Sequence, residues 1–305
     1  MRAVRFDRYG DRDVLYVADV PIPQPGPGEA LVEVRAAGIN PGEASIRKGL
    51  LAERFPATFP SGQGTDLAGV ITAVGEAVTG FAPGDEVLGW SWARSSQAEY
   101  VTVPVTQLVP KPIGLSWEVA GSLNVAGATA WAAVAAVDPQ PGETVVVSAA
   151  AGGVGSIAVQ LVRMREATVI GIASESNHAW LLAHDVIPVE YGDGLEERVR
   201  AAAPRGVQAF IDTFGPEYID LALALGVPPD RIDTITSFER AAEVGAHTEG
   251  SAAGSTPEVM SALAELAADG RLEVPIAATF PLDRVQDAFA ELEQRHTRGK
   301  IVLIP

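Results

Sequence analysis

An α/β fold, with a doubly wound parallel sheet joined to a β-rich domain, is what the sequence predicts. Three observations predict it. Alternating apolar strands broken by Pro and Gly turns fill the first third, a strand–helix rhythm begins near Pro141, and a glycine turn links a buried strand to an apolar helix. The chain has 305 residues, enough for two domains of ordinary size, and 47% of them are hydrophobic, which permits a substantial core.

Taken in order, Ala30 to Ala36 alternates as a half-buried strand does, and Gly69 to Gly75 and Glu99 to Val103 repeat the pattern. Turn residues punctuate this part, first Pro21, Pro23, Pro25, Gly26, Pro27 and Gly28, then Pro83-Gly84-Asp85. The rhythm then changes. Strands are expected over Thr144 to Ser148, Thr168 to Ala173, Val207 to Asp212 and Arg231 to Thr236. Helices are expected over Gly153 to Arg165 and around Trp180 to Asp185. Such alternation implies parallel strands covered by helices on both faces. Near the end, Val285, Ala288, Phe289 and Leu292 share one face of a helix expected over Leu282 to Gln294. Lys300 to Ile304 reads as a final strand that could return to the first domain.

Composition removes several functions. Net charge is −17, from 39 acidic and 22 basic residues, and a field of that sign repels phosphate backbones and anionic lipid. Nucleic-acid and membrane partners are therefore not expected. Apolar runs such as Val145 to Val147 are too short to span a bilayer, and Met1 to Phe6 lacks the continuous core of a signal peptide. A soluble, cytoplasmic protein is expected. Cysteine is absent, which removes disulfides, thiolate metal sites and a cysteine nucleophile. The four histidines, His178, His184, His247 and His296, form no H-E-x-x-H cluster and read as surface or helix residues.

The strongest chemical signal is Val145-Val146-Val147-Ser148-Ala149-Ala150-Ala151-Gly152-Gly153-Val154-Gly155 running into Ser156-Ile157-Ala158-Val159. Glycine permits a sharp turn and lets a pyrophosphate approach without meeting a Cβ, while the helix N-terminus offers free N–H groups and a favourable dipole. Ala151, Gly152, Gly153, Val154 and Gly155 are thus the candidate phosphate-binding residues of a Rossmann-type domain. About twenty residues on, the second strand ends at Ser174, where an acidic residue would grip the ribose 2′-hydroxyl of NAD. A serine tolerates a 2′-phosphate, which favours NADPH; Glu175 next door argues for NADH if it points inward.

The sequence resembles the zinc-independent quinone oxidoreductases of the medium-chain dehydrogenase/reductase superfamily. The resemblance rests on Ala36-Ala37-Gly38-Ile39-Asn40-Pro41 with Ile46-Arg47-Lys48-Gly49, on Gly64-Thr65-Asp66-Leu67-Ala68-Gly69-Val70, and on Val74 to Phe81 with Pro83 to Val87. Ala126-Gly127-Ala128-Thr129-Ala130, the glycine turn and Arg298-Gly299-Lys300-Ile301-Val302-Leu303 complete the set. It implies a discontinuous GroES-like catalytic domain, placed at 1–115 and 276–305, with a Rossmann domain over 116–275 inserted, and commonly a homodimer. In zinc-dependent relatives a ligand cysteine falls at Asn40 and a histidine–glutamate pair at Thr65 and Asp66, so no catalytic zinc is expected here.

The resemblance also places residues beside the cofactor. Asn40 falls near the nicotinamide, where its amide could steady a developing oxyanion, although a turn residue before Pro41 explains it equally. Thr129 falls near nicotinamide and phosphates, Tyr191 near the adenosine phosphate, and Phe214 and Ser237 on loops that pass the cofactor. Asn177 and His178 stand where relatives often carry a basic residue, and Lys300 joins the cofactor-binding set. Ser45 replaces a frequent tyrosine, and Gly226-Val227-Pro228-Pro229-Asp230 replaces a usual Pro-Gly-Gly turn.

The expected activity is NADPH-dependent hydride transfer to a quinone or other α,β-unsaturated carbonyl, with Asn40 and Ser45 orienting the small-molecule acceptor and solvent supplying the proton. Two alternatives stay open. An enoyl-thioester reductase would generally carry a tyrosine near Ser45, and a non-catalytic NADPH-binding protein would share the same glycine turn.

Overall fold

In the computed structural model all 305 residues are described. The first part carries strands β1 (Arg2–Phe6), β2 (Tyr16–Asp19) and β3 (Glu29–Gly38), helix α1 (Pro41–Arg47), and strands β4 (Ser61–Gly62) and β5 (Asp66–Val74). Strands β6 (Glu86–Trp90), β7 (Tyr100–Pro104) and β8 (Leu108–Pro110) follow, then α2 (Trp117–Ala120). A π-turn over Asn124–Ala128 leads into α3 (Thr129–Val137). The middle alternates: β9 (Thr144–Val147), α4 (Gly155–Met164), β10 (Thr168–Ile172), α5 (His178–Ala183), β11 (Val186–Val189), α6 (Leu195–Ala202) and β12 (Ala209–Asp212). It ends with α7 (Glu217–Ala224), β13 (Ile232–Thr234), α8 (Phe238–Val244) and α9 (Ser251–Gly254). The last part holds α10 (Pro257–Ala268), β14 (Ile276–Pro281), α11 (Val285–Glu293) and β15 (Lys300–Ile304).

The chain divides into two compact units, one of Met1–Val125 with Ser255–Pro305 and one of Ala126–Gly254. The inserted unit is therefore shorter than the 116–275 span read from the sequence. The reason is packing: α2 lies against β3 and β5, and α10 lies against β8, so both helices belong with the first unit. A helical pattern shows which face is apolar, but not which sheet that face will cover.

The first unit is antiparallel for the most part. A sheet ordered β14-β15-β3-β5-β6-β8, with β7 also on β3, surrounds a core that includes Val32, Val34, Leu67, Ile71, Val87 and Val101. The final strand returns as expected: β15 pairs antiparallel with β3 through Val302 and Leu303, and parallel with β14. A three-stranded sheet, β2-β1-β4, shares a second core with α1 and α11. There Arg47, fully buried, holds Glu293 of α11 at 2.7 Å and lies 4.8 Å above the Phe289 ring. The charge of the Ile46-Arg47-Lys48-Gly49 stretch thus serves to dock α1 on α11.

The second unit is a five-stranded sheet, ordered β11-β10-β9-β12-β13, and every pairing is parallel. Its strands are mostly apolar and buried, with Asp212, Asp233 and Thr234 as polar exceptions near the ends of β12 and β13, and each fully buried valine of β9 contributes roughly 1.5 kcal/mol. Beyond β13 only a single parallel bridge, Asp233 to His247, continues the ladder. No helix is long and apolar enough to cross a membrane.

Candidate functional site

In the second unit the sequence-predicted residues fall at one end of the sheet. The glycine turn follows β9; Ser174, Asn177 and His178 follow β10; Tyr191 follows β11; Phe214 follows β12; and Ser237 follows β13. All lie beyond the carboxyl ends of parallel strands, and the strand order reverses around β9, which is where open α/β sheets bind ligands. Thr129 begins α3 and is 5% exposed.

The turn itself has the geometry of a phosphate cradle. Ala149 bends the chain at φ 42°, and the Gly152 N–H donates to its carbonyl at 2.8 Å. Helix α4 begins at Gly155, two residues later than the sequence suggests, because Gly153 and Val154 still belong to the turn. A Cβ at Gly155 would come within 2.2 Å of the Ala149 carbonyl oxygen, so only glycine lets the helix start against its own turn. The N–H groups of Gly153 and Val154 have no backbone acceptor, and Gly152, Gly153 and Val154 are partly exposed. Unpaired N–H groups at the positive end of a helix dipole suit two linked phosphates.

After β10, the Asn177 amide donates to Ser174 Oγ at 3.0 Å, and that hydroxyl lies 3.0 Å from Ser176 Oγ. Glu175 is exposed on a single 3₁₀ turn. Tyr191 is 48% exposed, so it is not held as a packed core aromatic. Phe214 meets Tyr218 edge-on with ring centroids 5.7 Å apart.

Sequence reasoning missed the residue that ties these loops together. Asp212, fully buried at the end of β12, accepts hydrogen bonds from Ser148 Oγ (2.8 Å), the Phe214 N–H (2.9 Å) and the Gly215 N–H (3.1 Å) on Oδ1. Its Oδ2 accepts from Thr234 Oγ1 (2.7 Å) and Ser237 Oγ (3.4 Å). One carboxylate thereby fixes the ends of β9, β12 and β13. The signal was present as an acid closing the apolar run Ala209-Phe210-Ile211.

Asp233 is a second buried acid. Its Oδ1 accepts the Glu249 N–H at 2.8 Å while Oδ2 has no partner. Burial, with Glu249 and Asp212 as nearby negative charges, pushes its carboxyl up to about 7. A raised carboxyl pKa means the fold opposes ionisation, so stability is full below the ordinary pKa near 4 and falls as pH rises towards 7. Asp233→Asn is expected to raise Tm relative to the parent above pH 7, with the gain vanishing near pH 4. A gain that stays constant across that range in thermal melts would remove titration as its cause.

In the first unit, Asn40 caps α1 and Pro41 supplies the first helical residue. The Glu43 carboxylate reaches back to the Asn40 N–H at 3.2 Å and also accepts Asn40 Nδ2 (3.3 Å), the Thr65 N–H (3.1 Å) and Gln97 Nε2 (3.0 Å). Burial, then the neighbouring Asp66 carboxylate, pushes Glu43 up to about 7 against the pull of these donors. Asp66 accepts Asn40 Nδ2 at 3.1 Å and the Val125 N–H at 2.7 Å. Lys300, on the far end of the chain, donates to Asn40 Oδ1, to the Ile39 carbonyl (3.2 Å) and to Asp66 Oδ2 (3.4 Å).

Two of the expected site residues are engaged inside the first unit. Lys300 is 4% exposed and its charge is engaged inside the first unit, so it is not a free cofactor ligand. The Asn40 amide is 4% exposed with both its donor and acceptor sides occupied, so it has nothing left to offer an oxyanion and serves to position its neighbours. Ser45, partly exposed on α1, donates weakly to the Pro41 carbonyl at 3.3 Å and keeps its lone pairs free.

Two family models match the chain, an alcohol dehydrogenase GroES-like domain over residues 26–113 and a zinc-binding dehydrogenase domain over 181–303. The human synaptic vesicle membrane protein VAT-1 homolog is 31% identical over 93% of this chain and 80% of its own length. The quinone oxidoreductase structure from Coxiella burnetii is 30% identical, with TM-score 0.89 over 100% of this chain and 99% of that one. The Escherichia coli quinone oxidoreductase complexed with NADPH shares the fold, with TM-score 0.87 at 24% identity over the full length of both chains. The second family model raises the question of zinc. Around Asn40 and Asp66 the donors are amide, carboxylate and carbonyl oxygens with an ammonium among them, and neither sulfur nor imidazole takes part. That donor set does not fit zinc.

Proposed function

Because the chain belongs to the quinone oxidoreductase family of the medium-chain dehydrogenase/reductase superfamily, we propose that it is an NADPH-dependent reductase of quinones or other α,β-unsaturated carbonyls that works without zinc. The observation that carries this reading is the cradle at Gly152 to Gly155, where two N–H groups lack acceptors at the start of a helix. When bound there, the dinucleotide supplies the hydride.

The protein's own residues do the rest. Gly153 and Val154 hold the pyrophosphate charge through their N–H groups, in a chain whose net charge of −17 offers little other attraction. Ser174, Asn177 and His178 present hydroxyl, amide and imidazole donors to a 2′-phosphate, and no carboxylate stands at the Ser174 position to repel it. Thr129, Tyr191, Phe214 and Ser237 complete the cofactor contacts, the last two on loops held by Asp212. Ser45 orients the acceptor, with Asn40 fixing the helix that carries it. Solvent supplies the proton. A cytoplasmic homodimer is part of the same reading, and light scattering tests the dimer.

NADPH fluorescence is expected to shift to the blue on mixing with the protein, with affinity for NADH lower by about tenfold, or roughly 1.4 kcal/mol. A panel of quinones, 2-alkenals and enoyl thioesters then tests the chemistry. Turnover confined to enoyl thioesters would replace the acceptor class, and binding with no turnover at all would leave a nucleotide-binding protein.

A further inference from the structure

The cluster around Asn40 closes on itself in an unusual way. Two carboxylates, Glu43 at 6% exposure and Asp66 at 0%, are buried together, and the only cation bonded to either of them is Lys300 at 4%. Its ammonium sits among three oxygens from two chain segments: Asn40 Oδ1 and the Ile39 carbonyl from one, Asp66 Oδ2 from the other. An all-oxygen cage with two acids beside it is the donor set a hard divalent ion prefers.

We propose that Lys300 is a built-in cation: its ammonium fills this cage, holds the Asn40 amide in one orientation and closes the position to divalent metal ions. Orientation follows from polarity. An ammonium has only donors, so of the two ends of the Asn40 amide it can donate only to the oxygen, which turns Nδ2 towards Glu43 and Asp66. That hydrogen-bonded asparagine is the cap of α1, and so Lys300 also sets the helix that carries Ser45. Lys300 acts through Asn40 and Asp66 and is a positioning residue. The arrangement lies wholly in the first unit, so it stands whatever the cofactor or acceptor.

Three proteins test it: the parent, Lys300→Ala, and Lys300→Ala with Asp66→Asn. Removing the ammonium leaves two buried carboxylates without a counter-charge, and Tm is expected to fall by about 10 °C. Removing the Asp66 charge as well is expected to recover most of that loss, because a single buried acid, Glu43, then remains and keeps its four donors. Titrated with Mn²⁺ and read by electron paramagnetic resonance, Lys300→Ala is expected to take up about one ion, while the parent and the double variant take up none. NADPH affinity is expected to stay within about threefold in all three. Uptake of Mn²⁺ by the parent, no uptake by Lys300→Ala, or a double variant no more stable than the single one overturns the proposal. If Lys300→Ala does not fold, the double variant carries the test, and its failure to fold is equally contrary. A loss of NADPH affinity of tenfold or more at unchanged Tm would make Lys300 a phosphate ligand instead. Failure of the parent to bind NADPH bears on the proposed function alone and leaves this inference untouched.

Discussion

Gly153→Glu is expected to weaken NADPH binding by about 100-fold or more, close to 2.7 kcal/mol, while leaving the protein folded. The two effects separate for a physical reason. Gly153 is partly exposed, does not lie in the left-handed region of the backbone, and precedes the first residue of α4 by two positions. A carboxylate there faces the positive end of the helix dipole, which stabilises the helix by about 0.5 kcal/mol. The same carboxylate occupies the approach to the free N–H groups and opposes two phosphates with like charge. Fluorescence titration gives the affinity and thermal melting the stability. Unchanged affinity would show that the dinucleotide does not use this turn. Gly155 would be a poorer probe, since a side chain there meets the Ala149 carbonyl and disturbs the fold itself.

Asp212→Ala should destabilise the second unit by about 4 kcal/mol, lowering Tm by roughly 10 °C, and should disorder the loops that follow β9, β12 and β13. Five donors lose their acceptor in a fully buried setting. Asp212→Asn should cost about half as much or less. Its remaining oxygen can keep the Phe214 and Gly215 N–H groups, which cannot reverse, and the Ser237 hydroxyl can rotate to accept from the new amide, so that only Thr234, whose oxygen already accepts the Thr236 and Ser237 N–H groups, loses its acceptor. Equal losses for the two variants, measured by denaturant unfolding, would mean that charge and not hydrogen-bond geometry organises the hub.

What could be read in advance was local. The glycine turn was legible because strand, bend and helix are contiguous, and its chemistry needs small residues in a fixed order. Every strand expected from the sequence forms, with ends displaced by up to three residues, because alternation in the first unit and short apolar runs in the second are local signals. The Asn40 site was legible only as a position. Asn40, Asp66 and Lys300 meet across separations of 26, 234 and 260 residues, and no periodicity reports that an ammonium from the last strand will lie under the cap of the first helix. The sequence places Asn40 near the nicotinamide or in a turn before Pro41, and neither reading reports that its hydrogen bonds are satisfied internally. Asp212 escaped for the same reason, since its partners arrive from three strand ends. The unit boundaries differ from the expected ones because α2 packs on β3 and β5 and α10 on β8, contacts that no local pattern reports.

In a crystal structure grown with NADPH, the glycine turn is expected to hold the dinucleotide. Pyrophosphate oxygens are expected within hydrogen-bond reach of the Gly153 and Val154 N–H groups, with the 2′-phosphate beside Ser174 and Asn177. Nucleotide bound at another edge of the sheet, or an empty turn at saturating NADPH, would contradict this placement.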